Sequence, residues 1–128
     1  MELKPFLRKL NTYFSKTDFA IDYTKFKTYF RIFDDLIYAH HLTFTSSKTY
    51  PGVFITDTTN RTISGDRPSN LLELTALTFH LSDFYAKDVN LDIAIQNTKE
   101  LLTREGLDLE EVNLAINQIV QGVDVASN

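Results

Sequence analysis

A chain of 128 residues with 43% hydrophobic and 23% charged residues has apolar surface enough for one core and lies outside the composition range of disordered segments. The absence of cysteine excludes a disulfide framework, a thiol nucleophile and thiolate zinc sites. The formal net charge of -4 hides an asymmetry: residues 1–31 carry seven bases and three acids, a surplus of +4, which leaves -8 for the rest.

One domain over residues 1–128 is expected, with a flexible tail from about residue 123. No apolar run approaches the roughly 20 residues that span a bilayer, and MELKPFLRKL lacks the apolar stretch of a secretory signal. A cytoplasmic location without membrane partners is the resulting expectation.

In chain order, residues 2–14 predict an amphipathic helix with Leu3, Phe6, Leu7, Leu10 and Phe14 on one face and Lys4, Arg8 and Lys9 off it. Pro5 is tolerable because it falls in the first turn. Residues 15–23 read as loop or short strand, with Thr17 and Asp22 as candidate caps. Residues 24–41 carry the clearest stripe of the chain: Phe26, Phe30, Phe33, Ile37 and His40, widened by Tyr29 and Leu36. Lys27, Arg31, Asp34 and Tyr38 occupy the opposite side. This segment is predicted to be the central helix.

The period then changes. Leu42 and Phe44 alternate with threonines, Tyr50-Pro51-Gly52 marks a turn, and Val53 to Thr56 is β-branched and aromatic. A β-hairpin is predicted here, with Arg61 to Ser64 as a third strand. Asn70 and Glu73 have capping-box spacing and open a helix that buries Leu74, Leu77, Leu81, Phe84 and Tyr85. A fourth helix starts at Asp88 or Asn90 and runs to Arg104, with Ala94, Ile95, Leu101 and Leu102 inward and Gly106 to end it. A fifth starts at the Asp108/Glu111 box, buries Val112, Ile116, Ile119 and Val120, and stops at Gly122. The expected class is α+β, mainly α: four or five helices packed around the central helix, with a β-hairpin or small three-stranded antiparallel sheet inserted between helices.

Motifs for chemistry are scarce. No nucleophile elbow, phosphate loop, dinucleotide-binding glycine pattern or His-Glu-x-x-His sequence occurs, so no cofactor and no enzymatic activity are expected. His40, His80 and Asp83 form the one candidate metal set, since His80 and Asp83 are a helical turn apart. It belongs to a second alternative reading, a metal-dependent enzyme. Asp34 and Asp35 point about 100° apart on a helix and cannot face each other as a catalytic pair; an ion pair with Arg31 is the better expectation.

Two helices around Gly106 resemble a helix-turn-helix in outline, yet the second opens with Asp108, Glu110 and Glu111, which a polyanion would repel. If nucleic acid binds, Lys4, Arg8, Lys9, Lys16, Lys25 and Lys27 are the candidate contacts, with Tyr13 or Tyr23 for stacking. The preferred reading is a small non-catalytic module that binds another protein, using Tyr50 and Phe54. Homodimerisation is its simplest form. By size and class alone, regulators, inhibitors and immunity-type proteins of phages or mobile elements are built this way.

Overall fold

A computed structural model of the chain describes residues 2–17, 19–39, 43–46, 53–56, 62–65, 68–85 and 90–126. Five helices carry its described core: α1 (Leu3–Ser15), α2 (Phe26–Ala39), α3 (Leu71–Tyr85), α4 (Leu91–Arg104) and α5 (Leu109–Ala126). One contiguous apolar cluster takes side chains from all five.

Four of the five helices, α2 to α5, begin where a side chain accepts free N–H groups. Asp22 Oδ1 accepts from the Thr24 and Lys25 amides at 3.1 and 3.0 Å, just ahead of α2. At α3, Asn70 Oδ1 accepts from the Glu73 amide at 2.8 Å, while the Glu73 carboxylate accepts from the Ser69 amide at 3.1 Å. Asn70 also donates through Nδ2 to the Ala20 carbonyl (3.1 Å), and the Asp22 amide donates to the Ser69 carbonyl (2.9 Å), so the loop before α2 is tied to the start of α3. Asn90 caps α4 through the Ile93 amide, and Asp108 caps α5 through the Glu111 amide. Between them Gly106 takes a φ of +102°, a left-handed conformation that suits glycine and closes the α4–α5 corner.

The helix at the centre is α3. Every residue from Leu74 to Ser82 is buried, and α3 packs against α1, α2, α4 and α5. Its polar residues are accommodated locally, since the Thr75 and Thr78 hydroxyls each donate at 2.7 Å to the carbonyl four residues earlier. The expectation that α2 is central is therefore corrected: α2 buries one side only, through Tyr29, Ile32, Phe33, Leu36 and Ile37, and leaves Phe26 and Phe30 half-buried at the edge. A helix covered on all sides carries no one-sided stripe, so the segment with the clearest stripe was bound to lie at the periphery.

The α+β class is corrected too. Between α2 and α3 the backbone runs as short antiparallel segments β1 (Thr43–Ser46), β2 (Val53–Thr56) and β3 (Thr62–Gly65), in that spatial order. Every residue of the described apolar core comes from a helix. The domain is a helical bundle, not a bundle built with a hairpin or sheet as a structural layer. Alternation of threonine with single apolar residues over 43–65 supports backbone pairing but offers little continuous apolar surface, whereas α3 offers such surface on every side.

The last helix also differs from expectation. It passes through Gly122 and continues to Ala126, burying Val123. The reason lies across the interface, where the Tyr13 ring of α1 covers Gly122: a Cβ built there would stand 2.3 Å from Tyr13 Cζ. This glycine allows two helices to approach and does not end one.

Candidate functional site

Four of the residues singled out from sequence, Tyr50, Phe54, His40 and Asp83, lie outside the residues whose side chains are described. His80 is described and buried, with Nε2 at 2.9 Å from Oδ1 of the exposed Asn11 on α1, so it joins α3 to α1 at the edge of the core. Among the described residues no group of three or more His, Asp or Glu side chains could hold a metal ion.

Two charge clusters hold α2 against the α4–α5 corner. In the first, Arg31 Nη1 lies 3.1 Å from Asp35 Oδ2 and 3.7 Å from Glu105 Oε2, reaching from α2 to the cap of α4. Loss of solvent, and then the charge and hydrogen bond of Asp35, raise the Glu105 carboxyl above its ordinary value; Arg31 opposes the rise. In the second, Lys25 Nζ lies 3.8 Å from Glu111 Oε1 near the start of α5. Tyr29, buried beside them, has its phenol raised by desolvation first and then by Asp22 and Glu111. These clusters dock one element on another. The expected ion pair of Arg31 with Asp35 is present, at 3.1 Å.

The six candidate nucleic-acid contacts are all exposed. Lys25 is engaged by Glu111 and Lys27 stands on α2, whereas Lys4, Arg8, Lys9 and Lys16 lie on or just after α1. Tyr13 packs on Gly122 and makes edge-on contacts with Phe14 and Phe19, at centroid distances of 5.5 and 5.7 Å, so its ring is occupied. Tyr23 is exposed.

Sequence reasoning missed the outer face of α5. Leu114 is 69% and Val125 74% exposed, and their separation of eleven residues is close to three full helical turns, which puts them on one line about 16 Å apart. Gln118 and Gln121, both exposed, lie along that line between them. The signal was present as two apolar residues opposite the Val112, Ile116, Ile119 stripe, but periodicity alone does not separate them from the core set.

Comparison with protein-family models, with curated proteins and with solved structures finds no match. No described helix is long and apolar enough to cross a membrane.

Proposed function

We infer that the chain is a small module that works by binding another protein, as a regulator or inhibitor does. The observation that carries this reading is the outer line of α5, where Leu114 and Val125 stay in solvent although the bundle has a filled core beneath them. Two aliphatic side chains with amides between them have the makeup of a contact patch: apolar anchors that gain on desolvation, and neutral polar groups that can hydrogen-bond around them. Burying each aliphatic side chain in a partner is worth about 1.5–3 kcal/mol, so both together account for more than tenfold in affinity.

The test is capture from a nuclease-treated native lysate on the immobilised full chain, compared with Leu114→Glu/Val125→Glu. A stoichiometric protein is expected on the wild type and at least tenfold less on the variant. Equal recovery on both, or recovery of nucleic acid alone from an untreated lysate, would remove the reading. Light scattering distinguishes the simplest case: a dimer of the wild type that becomes a monomer in the same variant identifies the partner as a second copy. Tyr50→Ala and Phe54→Ala, assayed alongside, test the contacts proposed from sequence.

A further inference from the structure

The exposed face of α1 carries four cations, with Thr12 between them. Taking 100° per residue, Lys4, Arg8, Lys9 and Lys16 fall within about 140° of the helix circumference, over a rise of about 18 Å. Leu3, Phe6, Leu7 and Leu10 occupy the diametrically opposite side and are buried against the bundle. No acidic residue lies on the basic face, and among the described residues the ion pairs of the molecule engage Lys25 and Arg31 but none of these four cations. Four like charges held in a row on one helix repel one another, and nothing described in the fold offsets that cost.

The face is also bounded. Glu2 stands at its N-terminal end, bridged to Asn90, with Asp92 two residues further along. The positive strip is about three helical turns long.

The geometry points to this face as a docking strip for a short acidic helical segment of a protein partner. That inference rests on the protein-binding reading above and adds the chemistry of the partner. Carboxylates four residues apart on a helix repeat every 6 Å or so, the same interval that separates Lys4 from Arg8, with Lys16 two intervals beyond. Single-stranded DNA is disfavoured because α1 offers it no free aromatic ring: Tyr13 is engaged with Gly122, Phe14 and Phe19. An anionic membrane is disfavoured for a different reason: insertion needs the apolar side of an amphipathic helix, and here that side is inside the core.

The probe is an amidated Ala/Glu helical peptide with glutamate at every fourth position, titrated into isotopically labelled full-length protein at low salt. Amide shifts concentrated in residues 3–16 are expected, weakening steeply as salt shortens the screening length. Lys4→Glu/Arg8→Glu/Lys9→Glu/Lys16→Glu should reduce affinity at least tenfold with an unchanged thermal melt. Lys27→Glu, a cation on α2, should leave it within twofold. Shifts elsewhere, or equal affinity in the quadruple variant, would overturn the proposal. So would at least tenfold tighter binding of an oligo(dT) strand or of anionic vesicles, which would assign the strip to nucleic acid or to lipid instead. A lysate partner whose capture survives the quadruple variant but not Leu114→Glu/Val125→Glu would refute the acidic-partner inference while leaving the protein-binding reading intact.

Discussion

Thr98 puts a hydroxyl into the middle of the face that α4 buries, between Ala94 and Leu102, and its Oγ1 has no hydrogen-bond partner. Thr75, Thr78 and Thr103, by contrast, each donate to a carbonyl of the preceding turn. A desolvated hydroxyl without a partner costs about 1–3 kcal/mol, so replacing it with a methyl of nearly the same shape should help. Thr98→Val is expected to stabilise the protein by about 1 kcal/mol, read as a higher urea midpoint with an unchanged slope. A lower midpoint would mean that the hydroxyl is satisfied in solution. The same residue shows how far sequence reaches at this scale: Ala94 and Leu102 were recognisable as inward, but a threonine between them reads as polar until its neighbours are seen.

Between elements, α1 and α5 approach closely at Tyr13 and Gly122. Placing alanine at 122 brings a methyl into the ring, an overpacking that costs about 1–3 kcal/mol. Within a helix alanine otherwise gains about 1 kcal/mol over glycine. Gly122→Ala is therefore expected to be destabilising in the wild type but stabilising in a Tyr13→Ala background, and denaturant titration of the four proteins checks the change of sign. Glycine near the end of a helical pattern is ordinarily read as a stop signal, and that rule failed here because the constraint comes from another helix. The caps did not fail. Asn70 and Asp108 act within three residues of themselves, so their role was legible from local order alone, while Asp88 and Asn90 were both open as the start of α4 and Asn90 is the cap.

At the scale of the molecule, α2 lies on one side of the bundle, joined to the α4–α5 corner by Arg31, Asp35 and Glu105 and by Lys25 and Glu111. The raised Glu105 carboxyl has a consequence for pH dependence. Because its folded-state value lies above its ordinary 4.5, the folded protein binds more protons than the unfolded chain in the window above that value. Its stabilising contribution is complete below 4.5 and is lost as pH rises through the folded value. Urea midpoints of the wild type should carry that decrease between pH 4.5 and neutrality, and Glu105→Gln should show a flatter profile over the same range. Parallel profiles would detach Glu105 from the docking of α2. Asp35 and Arg31 face it and set its environment, so Asp35→Asn should flatten the profile in the same sense.

By itself the sequence determined the helices, their caps and the apolar sides of α1 and α5, because each follows from residues within a turn or two of one another. Only the tertiary structure decided which helix is central, that the domain is a helical bundle, that α5 continues past Gly122, and that Lys25 is engaged while the cations of α1 stay in solvent. Those outcomes depend on what lies across an interface. A one-sided stripe records that a helix has a neighbour; it does not record how many neighbours the helix beside it has.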